Sequence, residues 1–273
     1  MIQQVHAVYF SPTGNTRRLV SAVAQRIADQ LDCPYRPFDF TLPSARTVPL
    51  SFRQEDLLVI GLPVYAGRLP NLLLPFLNTL KGSQTPAVLM VSFGNRHYDD
   101  ALLELGLILE ERGFLPAAAA AFAGEHAFSR QLGAGRPDRR DMRQVEEFAQ
   151  GALQNLQEGR QPGIWALLKE PVRPLKPYYT PRDRQGNPIN ILKVKPLVNR
   201  ELCIGCGRCV CLCPMGSIDP EDVSRYLGVC IKCGACIKGC PEEARYYDDP
   251  GYLYHKQELE IQYARRAGNV VFL

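Results

Sequence analysis

No apolar run in the 273-residue sequence approaches the roughly 20 residues that a membrane-spanning helix needs; the best candidates, 57–64 and 117–123, are strand-sized. The N-terminal hexapeptide Met1-Ile2-Gln3-Gln4-Val5-His6 has neither a basic stretch nor an apolar core. No export signal is therefore expected, and the cytoplasm is the expected location. Nor does one charge dominate: 32 basic against 28 acidic side chains leave +4, which does not call for nucleic acid. The excess is local. Residues 1–160 carry 16 basic and 16 acidic side chains, residues 161–200 carry 8 and 2, and residues 201–273 carry 8 and 10. With 46% hydrophobic and 22% charged residues, the chain reads as an ordinary globular protein of one large or two modest domains.

Cysteine is almost absent outside one region. Of ten cysteines, nine fall between Cys203 and Cys240. In a chain without an export signal such clustering points to metal ligation and away from disulfides.

The first 160 residues alternate short apolar runs with helical periodicity, the pattern of a parallel α/β sheet. Strands are expected at 5–10, 34–40, 57–64, 87–92 and 115–122, and helices at 16–31, 99–112 and 142–157, with a shorter one at 71–80 weakened by Pro75. Five strands with crossover helices imply a doubly wound α/β sheet whose ligand sits beyond the carboxyl ends of the central strands. Over 161–196 seven prolines break the pattern. This basic, proline-rich linker is a spacer or a wrap between domains; Trp165, Tyr178 and Tyr179, poorly suited to water, favour the wrap.

Cys203, Cys206, Cys209 and Cys213 are spaced C-x2-C-x2-C-x3-C and followed by Pro214; Cys230, Cys233, Cys236 and Cys240 repeat the spacing and are followed by Pro241. One such run marks a [4Fe–4S] cluster, and in two-cluster ferredoxins the fourth cysteine of each run ligates the other cluster. The expected sets are Cys203, Cys206, Cys209 and Cys240 for the first, and Cys230, Cys233, Cys236 and Cys213 for the second. Paired zinc sites, which also use four thiolates, are the weaker alternative. Cys211 reads as a spare thiol and Cys33 as a small apolar residue.

The first strand runs into Ser11-Pro12-Thr13-Gly14-Asn15-Thr16 and then a helix. Hydroxyls and backbone N–H groups at a helix N-terminus form an anion site. No lysine follows the glycine, which excludes Walker A chemistry, and the donors suit one terminal phosphate monoester. A merely N-capped helix would account for Thr13 or Asn15 alone. The third strand ends in a loop through Tyr65 and the fourth in one through Tyr98; each tyrosine is placed to stack on a flat ring, and Gly67 and Gly94 bring main-chain amides near it. Read blandly, both are surface loops. No G-x-G-x-x-G follows a strand, which argues against a self-sufficient NAD(P)H oxidoreductase.

Residues 1–160 resemble a flavodoxin and residues 197–273 a bacterial two-cluster ferredoxin; together they are similar to the flavodoxin–ferredoxin fusion proteins of anaerobic microbes. The resemblance implies a flavodoxin-like doubly wound five-stranded parallel sheet plus a small α+β two-[4Fe–4S] ferredoxin domain with a C-terminal tail. It implies FMN, with the phosphate on Ser11, Thr13, Gly14, Asn15 and Thr16. Ring contacts would come from Pro63, Val64, Tyr65, Ala66 and Gly67 and from the 93–98 loop, through Phe93, Gly94, Asn95 and Tyr98. An open ring edge between these loops is expected to admit a partner. Flavodoxins are typically acidic, whereas this half is neutral.

The expected function is electron transfer between FMN, two [4Fe–4S] clusters and redox partner proteins such as ferredoxin- or flavin-dependent reductases, with no catalytic acid or base. The alternative is an FMN-dependent reductase of a small organic substrate fed through the clusters. His97 and His126 read as loop histidines or as flavin-site donors. Arg130, Arg136, Arg139, Arg140 and Arg143 read as a solvated basic face. The tail 252–273 reads as a short helix and a docked apolar end, with self-association the weaker reading.

Overall fold

The computed structural model describes residues 1–273. Strands β1 (Gln4–Tyr9), β2 (Tyr35–Asp39), β3 (Asp56–Pro63), β4 (Thr85–Phe93) and β5 (Phe114–Ala123) are parallel and lie in the order β2-β1-β3-β4-β5, the doubly wound order of the flavodoxin-like fold. β3, β4 and β5 are buried on both faces, which is why they read as continuous apolar runs.

One face is covered by α1 (Asn15–Leu31) and α4 (Arg139–Gln157). α1 buries Leu19, Val20, Val23, Ala24, Ile27 and Ala28, an apolar stripe at helical spacing. α4 starts at Arg139, three residues before the expected start, because Asp138 caps it and Asp141 completes a capping box. The other face holds α2 (Leu74–Leu77), α3 (Ala101–Glu111) and α5 (Ile164–Leu168). The helix expected over 71–80 is a 3-10 turn followed by the single turn α2; Pro75 fits only the first turn of a helix.

The linker wraps. Ile164, Leu167 and Leu168 are buried in the sheet's core. Beyond them, Arg173 makes a two-pronged ion pair with buried Asp100 at 2.8 and 2.9 Å, and Lys176 N–H donates to the same carboxylate at 2.8 Å. Arg68 donates to the Lys176 carbonyl at 2.6 Å, and the Tyr178 hydroxyl to the Leu69 carbonyl at 3.0 Å. These bonds hold the proline-rich strap against the carboxyl ends of β3 and β4.

The cysteine-rich segment contains an antiparallel pair, β6 (Leu197–Val198) with β7 (Arg245–Tyr246), and two one-turn helices, α6 (Arg208–Cys211) and α7 (Ala235–Lys238). It is docked on the sheet. Lys238 of α7 reaches the Glu125 carboxylate and donates to the carbonyls of His126 at 2.6 Å and Ser129 at 3.0 Å. Arg46 donates to the Pro214 carbonyl at 2.6 Å.

After α8 (Pro250–Gln262) the chain returns, and β8 (Val270–Phe272) pairs antiparallel with β5 as a sixth strand. The apolar end thus docks on the first sheet of the same chain. Two residues expected elsewhere hold this return. Asn95, placed by resemblance on the flavin, donates to the carbonyls of Tyr263 and Arg265, both at 2.8 Å. Arg136, read as part of a solvated face, is 5% exposed, ion-paired with Asp141 and bonded to the Ala267 carbonyl at 2.8 Å. Its charge is compensated inside the protein. No helix is long and apolar enough to cross a membrane.

Candidate functional site

A cavity of about 250 Å³ opens at the carboxyl ends of β1, β3, β4 and β5, where this strand order reverses around β1. At its β1 end lies the N-terminus of α1. Gly14 there is left-handed and offers no side-chain cap, and the first turn holds no acid; Arg17 and Arg18 follow instead. The backbone N–H groups of Thr13, Asn15 and Thr16 have no partner within the protein. Unpaired donors at the positive end of a 17-residue helix fit an anionic group. Thr16 Oγ1 lies 2.7 Å from Ser92 Oγ, which links the β1 loop to β4.

Thr13, Asn15, Thr16, Pro63, Val64, Tyr65, Ala66, Gly67, Phe93 and Gly94 line the cavity, as do His97 and His126. Ser11, Gly14, Asn95 and Tyr98 do not line it. Ser11 Oγ accepts from Arg17 N–H at 2.9 Å, and Tyr98 stacks on His97 at 4.8 Å and packs near Phe93. Gly94 permits a close approach of His126: a Cβ at 94 would stand 2.4 Å from its ring. The His126 Nδ1 accepts from Phe128 N–H at 3.1 Å, and burial, with Lys238 nearby, holds the imidazole well below its ordinary pKa, in the neutral form.

Other parts of the cavity wall come from far along the chain. The strap contributes Tyr179, whose N–H donates to the Ala66 carbonyl at 2.8 Å and whose ring lies 4.2 Å from the Arg96 guanidinium. Ile191 and Leu192 follow, then Ile231, Lys232 and Cys233, and His255 and Leu259 of α8. The edge between the two loops, expected to be open, is thus overlain by the protein's own linker. Burial, and Arg96, lower the His255 pKa to about 4.

The cysteines fall into two groups. One cavity is lined by Cys203, Cys206, Cys209 and Cys240, the other by Cys213, Cys230, Cys233 and Cys236. All ten cysteines are free. Cys211 points to solvent and Cys33 is half-buried. Donors already point at three of the eight sulfurs: Ser217 N–H to Cys213 at 3.3 Å, Lys232 N–H to Cys230 at 3.4 Å, and Arg245 Nη1 to Cys209 at 3.3 Å. Two buried donors nearby lack any partner, Arg245 Nε at the first cavity and Tyr247 Oη at the second. Burial pushes the Cys236 thiol up to about 12 and the Cys233 thiol higher still, so both stay protonated unless a cation takes the proton's place. Four sulfurs facing unpaired donors fit an anionic metal–thiolate centre.

Ile231, Lys232 and Cys233 border both the β-sheet cavity and the second cysteine cavity. Tyr65 lines the sheet cavity, and burial, with Cys233 and Cys230 nearby, raises its phenol well above its usual pKa.

Residues 195–241 match the family of 4Fe-4S dicluster domains. No curated protein matches the sequence. Among solved structures, a short-chain flavodoxin associated with a non-canonical PDU bacterial microcompartment is 16% identical, covering 56% of this chain and 98% of its own, with a TM-score of 0.41. A flavodoxin of Streptococcus pneumonia TIGR4 is 19% identical over 55% of this chain and 97% of its own, TM-score 0.39. The rubredoxin oxygen:oxidoreductase from the anaerobe Desulfovibrio gigas is 16% identical over 57% of this chain and 36% of its own, TM-score 0.41. The fold is defined by the strand order and not by these distant likenesses. A flavodoxin-like sheet joined to a 4Fe-4S dicluster domain is the build of an electron-transfer protein. The chain joins a flavodoxin-like parallel sheet to a segment that matches 4Fe-4S dicluster domains.

Proposed function

We propose that the protein is an internal electron relay holding one FMN and two [4Fe–4S] clusters. The observation that carries this reading is the shared wall: Cys233 belongs to the cage of the second sulfur set and to the wall of the sheet cavity. FMN exchanges two electrons and each cluster one, so their union splits or combines electrons.

The unpaired N–H groups of Thr13, Asn15 and Thr16 take the phosphate, and the 63–67 and 93–97 loops hold the ring. Cys203, Cys206, Cys209 and Cys240 hold the outer cluster, which meets the solvent at Cys206. Cys213, Cys230, Cys233 and Cys236 hold the inner one. A one-electron partner protein meets the outer cluster, since the strap, the 231–233 segment and α8 stand over the flavin site. The domains are taken as 1–160, the linker 161–196, and 197–273 with its returning tail.

A second reading, FMN-dependent reduction of a small organic substrate, is favoured by the same roofing, which leaves the ring accessible to small molecules more readily than to a protein. An anaerobic reductive titration followed by absorbance and paramagnetic resonance tests both. The relay requires flavin and two cluster signals that equilibrate within one molecule. Rapid bleaching of the flavin by NADH or NADPH alone overturns the carrier role and favours the enzyme.

A further inference from the structure

Arg245 is the most improbable charge in the molecule. It lies on the short strand β7 and is 3% exposed. The other buried arginine, Arg136, is answered by Asp141, yet no carboxylate lies within ion-pair distance of Arg245. Its fixed partners are neutral oxygens: Nη1 donates to the Val223 carbonyl at 2.9 Å and Nη2 to the Tyr226 hydroxyl at 2.7 Å. The Tyr226 ring packs against the guanidinium at 5.6 Å. One donor also turns to sulfur. Nη1 lies 3.3 Å from Cys209 of the first set, and Nε is buried without any partner. Tyr226, its partner, lines the second cysteine cavity.

A buried charge without a counter-charge is strongly destabilising. A guanidinium cannot escape by losing its proton. The compensating negative charge must therefore come from what fills the cysteine cavities. Four thiolates on an oxidised [4Fe–4S] core carry a net charge of about −2, and an electron from an external one-electron donor makes it about −3 with no proton moved.

We propose that Arg245 is the internal counter-ion of the iron–sulfur centre and that it sets the reduction potential of the cluster at Cys209. The inference rests on the relay reading. It adds a residue outside the ligand set that lowers the free energy of the reduced cluster. Tyr226 is the positioning residue, holding Nη2 so that Nη1 faces the Cys209 sulfur.

The test uses the full-length holoprotein, reconstituted anaerobically with iron and sulfide and titrated with dithionite in the presence of redox mediators while paramagnetic resonance is recorded. Arg245→Gln is expected to weaken one-electron reduction of one cluster about tenfold, a fall of about 59 mV, and to affect the other cluster less. Arg245→Lys should recover most of the shift, and Tyr226→Phe, which keeps the charge, should alter the signal shape with a smaller shift. If Arg245→Gln fails to hold iron while Arg245→Lys loads, a charge requirement for assembly is established, which supports the proposal. Unchanged potentials in a fully loaded Arg245→Gln protein, or loss of loading in both variants, overturn it. Wild-type protein that takes up no clusters defeats the relay reading itself, a result seen before any variant is compared.

Discussion

Gly234 and Ala127 are in such close contact that a Cβ on Gly234 would stand 2.4 Å from the Ala127 carbonyl oxygen. The glycine opens α7 in the left-handed region, φ +76°, one residue after Cys233, and the alanine lies in the loop after β5. This contact, with the Lys238 bonds beside it, fixes the inner sulfur set against the sheet cavity.

Gly234→Ala combines an overlap with backbone and an unfavourable φ, and should destabilise the docked arrangement by about 1–3 kcal/mol. Urea unfolding should shift to lower midpoint, and transfer between flavin and clusters should slow in flash reduction. Wild-type values for both would show that the segment docks elsewhere.

Cys213→Ala should damage the cluster held by Cys230, Cys233 and Cys236 and spare the one at Cys203, Cys206 and Cys209, since Cys213 faces the second cavity. Iron content and paramagnetic resonance of the reduced protein decide this. Selective loss of the Cys203 centre would reverse the assignment.

Thr13→Ala should weaken FMN more than riboflavin, by roughly 1.5–3 kcal/mol, if its hydroxyl meets the charged phosphate. Fluorescence titration of both ligands measures the difference, and equal losses would remove phosphate reading from this loop.

Arg136→Ala leaves buried Asp141 without its main partner and also frees the Ala267 carbonyl, an expected loss of about 3–5 kcal/mol. Hydrogen exchange should show residues 270–272 released before the parallel strands. Simultaneous release would mean that β8 is held without Arg136.

His255 is 7% exposed, and its pKa is lowered from 6.5 to about 4 in the folded protein. A base that binds protons more weakly when folded favours the folded state above its unfolded pKa. That contribution is progressively lost as pH falls from about 6.5 towards 4. His255→Phe should therefore flatten the decline in urea stability measured between pH 7.5 and 5.5. An identical slope in both proteins would place the pH dependence on other groups.

The five parallel strands were legible to within two residues at either end, because period and burial coincide in strands covered on both faces. The two cysteine runs were legible from their spacing, and the structure places Cys240 beside Cys203, Cys206 and Cys209, and Cys213 beside Cys230, Cys233 and Cys236. Asp138 and Asp141, three residues apart before an apolar periodic stretch, carried a readable start signal for α4 that the apolar positions alone did not. Less could be read where the partner is distant in sequence. Nothing local to Asn95 or Arg136 shows that they hold residues 263–267, and nothing near Tyr179 or His255 shows that they meet at the sheet cavity. Tyr178 and Tyr179 did signal that the linker packs, without saying against what. The unpaired state of Arg245 is a property of the assembled structure alone.

The pairing of β8 with β5 makes the iron–sulfur region a loop pinned at both ends, by the strap at Arg173–Tyr179 and by the return strand at 270–272. A segment tethered only once would be free to drift from the sheet. Here it has only the freedom of a closed loop, and its closure entropy has already been met by the sheet. The eight sulfurs are thereby kept at high local concentration beside the sheet cavity.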